Sequence, residues 1–122
     1  MTHARLTLGR LGEDLASREL RRRGYAILVR RYRTRFGEID IIARDGDTLV
    51  FVEVKTRRSH GFGGAVAAVD HRKQRRLINM ARSYLLGLEG PLPPCRFDVV
   101  GVTLPAGERP VVEVVVHAFG AG

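Results

Sequence analysis

A mixed α/β sheet covered by helices on both faces is the fold class this sequence predicts, and three observations predict it. The chain opens on a helical apolar period, continues through three apolar runs separated by turn residues, and then alternates one more helical stretch with two more strands. A helix placed between strands can cross over one face of the sheet while the first helix covers the other. At 122 residues the chain is one domain, 1–122, large enough to bury a single core without disulfides or a structural metal.

Each element follows in order. Leu8, Leu11, Leu15, Ala16 and Leu20 recur at three and four, which predicts a helix over about 5–23 ended by Gly24, with Glu13 on the flank of the leucine stripe. Tyr25 to Val29 reads as a strand, followed by a basic connector, Arg30 to Arg35. A second strand is expected over about 38–44, and Asp45-Gly46-Asp47 is a hairpin turn into a third over about 48–56. The glycine-rich stretch 57–64, with His60 and Phe62, reads as a loop. Asp70 caps a helix running to about Leu86, Gly90 to Pro94 breaks the chain, and strands follow at about 96–104 and 111–119.

The net charge of +8 is unevenly spread, with ten arginines before residue 37 against Glu13, Asp14 and Glu19. A basic surface gathered on part of a small domain is the footprint of a polyanion partner, with a merely solvated charged face as the alternative. Arg30, Arg31, Arg33, Arg35, Arg57, Arg58, Arg72, Lys73, Arg75 and Arg76 bracket the centre of the chain and are the expected phosphate contacts. For Phe36 and Phe62, core packing is expected rather than stacking on bases. The single cysteine, Cys95, forms no internal bridge, and the four histidines lack ligand spacing. A start without a signal-peptide pattern and the want of any uncharged run of ~20 residues exclude a membrane span and lead to a cytoplasmic expectation.

The chemistry concentrates in Glu53-Val54-Lys55, which ends the apolar run Leu49 to Val52, and in Asp40, on the preceding strand. Strand alternation puts Glu53 and Lys55 on one face, and the hairpin brings Asp40 to nearly the height of Glu53, sharing its own face with Glu38 and Ile42. Converging carboxylates suit Mg2+ or Mn2+, and a lysine beside them suits an attack by water on phosphorus. The alternative is a plain Glu53–Lys55 ion pair at a strand edge. Lysine is rare here, at Lys55 and Lys73 only, against 19 arginines. Lysine is a compact point charge whose pKa moves, so the two cations are not interchangeable in a reacting site.

Gly37-Glu38-Ile39-Asp40-Ile41-Ile42, Phe51-Val52-Glu53-Val54-Lys55-Thr56-Arg57, Phe62-Gly63 and Arg96-Phe97-Asp98-Val99-Val100 resemble the YraN family of small bacterial proteins, in the PD-(D/E)xK nuclease superfamily, over about residues 9–101. The resemblance implies a restriction-endonuclease-like core of order α-β-β-β-α-β-β, similar in layout to archaeal-type Holliday-junction resolvases. It implies Asp40 and Glu53 as metal-binding acids, Glu13 as a helix-borne third acid and Lys55 as the catalytic lysine. Ile39 stands where the superfamily's proline would be. The expected activity is metal-dependent hydrolysis of DNA phosphodiesters, at branched structures and by a homodimer. The alternative is a nucleic-acid-binding module that lacks turnover by itself or needs a partner.

Overall fold

The computed structural model describes residues 3–59 and 64–120; His60 and Phe62 lie outside the described residues. Its elements are α1 (His3–Arg22), β1 (Ala26–Thr34), β2 (Gly37–Asp45), β3 (Thr48–Arg57), a short 3-10 turn (Ala65–Ala68), α2 (His71–Leu86), β4 (Cys95–Thr103) and β5 (Val111–Phe119). The five strands lie in sequence order in one sheet, antiparallel except where β3 runs parallel to β4. A parallel neighbour requires a crossover, and α2 supplies it.

β3 is the central strand. Its run Leu49-Val50-Phe51-Val52 is buried on both faces, as expected for a strand with helices above and below. Leu49 and Phe51 join Leu77, Met80 and Ala81 of α2 in one core. Val50 and Val52 join Ala16 and Leu20 of α1 in the other. The Gly46-Asp47 turn connects the paired residues Asp45 and Thr48, with Gly46 at φ 60°. Asp70 caps α2 by accepting the Lys73 N–H at 2.9 Å.

Three expectations are corrected. The stretch Arg30 to Thr34 is strand, not connector: it pairs with Ile41 to Gly37, and its outward arginines disguise the pattern by meeting acids of α1 and β2 instead of water alone. On α1 the face laid on the sheet is Gly12, Glu13, Ala16, Ser17 and Leu20, whereas Leu11 is exposed. Glycine explains the rotation, because a Cβ at residue 12 would overlap the Thr56 side chain on β3, so the helix comes closest along its small-residue edge. Phe36 is exposed at the β1–β2 turn, with the Arg35 guanidinium 4.9 Å above its ring.

Candidate active site

The β2–β3 ladder ends at the pair Ile41 and Val52, although β2 starts four residues earlier and β3 continues to Arg57. Beyond that pair the strands part into a fork, and Asp40 stands in it. Asp40 Oδ2 accepts the Val54 N–H at 2.8 Å, replacing a main-chain carbonyl as partner. The pleat is interrupted here: Ile39 and Ile42 pack in the α2 core but Ile41 in the α1 core, so Asp40 does not share a regular face with Ile42. Arg31, opposite Asp40 by the β1–β2 register, has φ 55°, a strained value for a residue with a side chain.

The Glu53 carboxylate is the neighbouring charge that acts most on the Asp40 carboxyl. Burial, then the Glu53 carboxylate, pushes the Asp40 pKa up to about 8, with Glu38 adding a smaller effect in the same direction. Lys55 is half-buried, and its pKa is lowered, first by burial and then by the Lys73 ammonium. Glu53 and Asp40 act on Lys55 in the opposite direction. The fork thus sets the Asp40 carboxyl against a second acid beside the Lys55 ammonium.

A cleft of about 740 Å³ opens over the fork, lined by Arg10 and Glu13 of α1, Arg31 and Arg33 of β1, Glu38 and Asp40 of β2, and Lys55 of β3. Glu13 is buried there, but both its oxygens are engaged: Oε1 accepts from Arg30 Nε at 2.9 Å and Oε2 from Arg31 Nε at 3.2 Å. Neighbouring strand residues ordinarily face opposite ways; the positive φ at Arg31 lets both reach one carboxylate.

A hard divalent cation fits the Asp40–Glu53 pair by donor chemistry, because carboxylates pressed together gain from a positive ion between them. Glu13 is not gathered into that pair, and among the described residues no three acid, histidine or cysteine side chains stand close enough to enclose an ion. The expected three-acid cage is therefore reduced to two acids in this arrangement.

The expected phosphate contacts divide into two sets. Arg30 and Arg31 are paired with Glu13, Arg30 also with Asp14 at 2.6 Å, and Arg33 with Glu38 at 2.8 Å. Arg35, Arg58, Arg72, Arg75 and Arg76 are exposed, and Arg57 is half-buried at the end of β3. A Cβ on Gly37 would lie 3.8 Å from Cδ of Arg76, so the basic face of α2 adjoins the turn that carries Arg35. Sequence reasoning counted Lys73 among the phosphate contacts; it is half-buried, and its charge acts on Lys55. Gln74 of α2 is half-buried and donates to the Val69 carbonyl at 3.0 Å.

A second buried acid lies across β3. Asp98, fully buried on β4, accepts from Tyr25 Oη at 2.9 Å, from Arg96 Nε at 3.0 Å and from the His117 N–H at 3.0 Å. Arg96 also bonds Asp45 at 2.9 Å and Tyr25 Oη at 2.6 Å. Sequence reasoning recorded Arg96 and Asp98 only as part of a motif.

Among the described residues no helix is long and apolar enough to cross a membrane. Residues 12–102 match the model of "Uncharacterised protein family UPF0102". A UPF0102 protein of Streptomyces griseus subsp. griseus is 52% identical over 119 residues, covering 97% of this chain and 98% of its own length. One of Chlorobium limicola is 54% identical over 102 residues (84% and 79%), and one of Nocardia farcinica 48% identical over 106 (87% and 84%). The matched span takes in Glu13, the fork and Asp98 with its Tyr25 and Arg96 partners, and the chain belongs to the UPF0102 family.

Proposed function

We propose that this protein is a divalent-metal-dependent nuclease that hydrolyses DNA phosphodiesters at the β2–β3 fork. The observation that carries the reading is the Asp40–Glu53 carboxylate pair beside Lys55, with Asp40 and Lys55 lining a cleft of a strongly basic chain. A salt bridge built for stability would set one acid against one base; here two half-buried acids share one place, which is costly without a use.

Asp40 and Glu53 are the residues that would hold Mg2+ or Mn2+, and Asp40 gives up its proton as it does so. The bound ion supplies polarisation of a phosphoryl oxygen and a more acidic water. Lys55 orients the attacking water and offsets the charge growing on the phosphate oxygens. The exposed arginines of α2 and the β1–β2 turn hold the strand on either side of the cut. Arg30 and Arg31 hold Glu13, and strand phosphates compete with it for their donors. A homodimer acting on branched DNA extends the reading, since two symmetry-related cuts match a two-fold enzyme.

The engagement of Glu13 by two arginines favours a second reading, a nucleic-acid-binding module that turns over only with a partner. Labelled single-stranded, duplex, flapped and four-way-junction DNA, with an RNA control, incubated in manganese, magnesium or chelator beside Lys55→Ala, separates the two. The nuclease reading requires metal-dependent cutting that the variant loses. Tight, salt-sensitive binding without cutting selects the partner-dependent module.

A further inference from the structure

Phe36 departs from the rule that the other described aromatic residues follow. Each of those is buried or half-buried, whereas Phe36 is 43% exposed at the tip of the β1–β2 hairpin. The tip is held in shape by its own side chains. Thr34 Oγ1 accepts the Phe36 N–H at 3.0 Å and donates to the Gly37 carbonyl at 3.1 Å. Gly37, at φ 131°, lies so near α2 that an added Cβ would stand 3.7 Å from the Met80 sulfur. Around the ring the charge is positive. The Arg35 guanidinium lies 4.9 Å over it, and neither Arg35 nor Arg76, whose Cδ adjoins Gly37, has an ion-pair partner among the described residues. An exposed cation–π contact stabilises a turn only weakly, so it does not by itself account for a phenyl ring in water. Next to the tip, Arg33 and Glu38 pair across the ladder and line the cleft over the fork, which puts Phe36 at the lip of that cleft. Asp40 follows four residues later, about 13 Å away at the rise of a strand.

We propose that Phe36 is a stacking platform for an unpaired base of the bound strand, with Arg35 and Arg76 taking the phosphates beside that base. The inference rests on the nuclease reading and deepens it by naming the substrate class, DNA that is unpaired next to the cut. Bases inside a duplex are covered on both faces by their neighbours, so a side chain stacks on one only at an end, a flap, a gap or a branch. Here the base lies against the exposed part of the ring, and the arginines direct the strand from the lip toward the fork. A phenyl ring carries no hydrogen-bonding group, so the selection is for an unpaired base and not for a sequence.

The chain contains no tryptophan, so Phe36→Trp in the full chain places a single fluorophore at the tip. Titrating this variant in chelator with a short DNA single strand is expected to quench its emission, with the midpoint of binding. A blunt duplex of the same length, or a single strand made of abasic nucleotides, should bind through its phosphates and quench far less. Phe36→Ala should bind the single strand about tenfold more weakly and the duplex as the parent does, with an unchanged salt slope, whereas Arg35→Ala should lower that slope by about one. Phe36→Trp should keep the parent affinity. Unquenched emission at saturation overturns the proposal, as do equal quenching by the abasic strand and a Phe36→Ala loss of the same size on single strand and duplex. Quenching without cleavage in manganese overturns the nuclease reading alone, and cleavage without quenching overturns the stacking alone.

Discussion

Two aspartates flank the central strand, Asp98 on β4 beside Val52 and Asp40 on β2 just past the end of the β2–β3 ladder, and their surroundings differ in kind. Asp98 accepts from a hydroxyl, a guanidinium and a main-chain N–H, which use both its oxygens. Asp40 receives one N–H and faces a second carboxylate. A buried acid saturated with donors ties elements together: Asp98 joins the start of β1, β4 and β5, and through Arg96 the end of β2. A half-buried acid given a like charge instead has free energy to release when a proton or cation arrives. The contrast teaches where structure ends and chemistry begins within one sheet.

The largest effect expected on stability is at the saturated site. Asp98→Ala leaves Arg96 without its buried partner and should cost about 3–5 kcal/mol in urea unfolding. Asp40→Asn keeps an acceptor for Val54 while removing the repulsion, so its unfolding midpoint at neutral pH should equal or exceed that of the parent. A loss as large as that of Asp98→Ala breaks the comparison. The same Asp40→Asn change should lower metal-dependent cleavage by about a thousandfold, which is about 4 kcal/mol of activation free energy, without a matching loss of DNA affinity.

The pH dependence sharpens the contrast further. With its folded pKa raised from 3.8 to about 8, Asp40 binds its proton more tightly in the folded than the unfolded chain. Its contribution to stability is therefore fully present below about pH 4 and lost as pH rises through about 8. Unfolding followed from pH 4 to 9 without metal should show this fall in the parent, a shallower one in Asp40→Asn, and a flatter curve on adding Mn2+. The smallest change is Tyr25→Phe, which removes one donor to Asp98 and should cost about 1 kcal/mol by denaturant titration.

What was legible in the sequence was local. The hairpin at Asp45-Gly46-Asp47, the Asp70 cap and the two-sided burial of Leu49 to Val52 all follow from spacing and turn chemistry. The hairpin count also brought Asp40 to the height of Glu53. What lay hidden depends on contacts between distant segments. Glu13 meets arginines 17 and 18 positions away, and Tyr25 meets Asp98 across 73. Lys73, from the first turn of α2, acts on the charge of Lys55 on β3. The end of the β2–β3 ladder at Ile41 was hidden for another reason. The interruption at Arg31 and Asp40 breaks the two-residue period on which strand reading depends.

Gly12 has a consequence of a different sort. Its missing carbon lets α1 sit flush on β3 at Thr56, the residue after Lys55, and Glu13 inherits its height above the sheet from that contact. Gly12 is thus a shim of zero thickness under one wall of the cleft. A single methyl there, in Gly12→Ala, changes no charge, no donor and no acceptor, yet it must lift the wall or push Thr56 aside. The gap between the wall that carries Glu13 and the floor that carries Lys55 is set by the smallest residue in the chain.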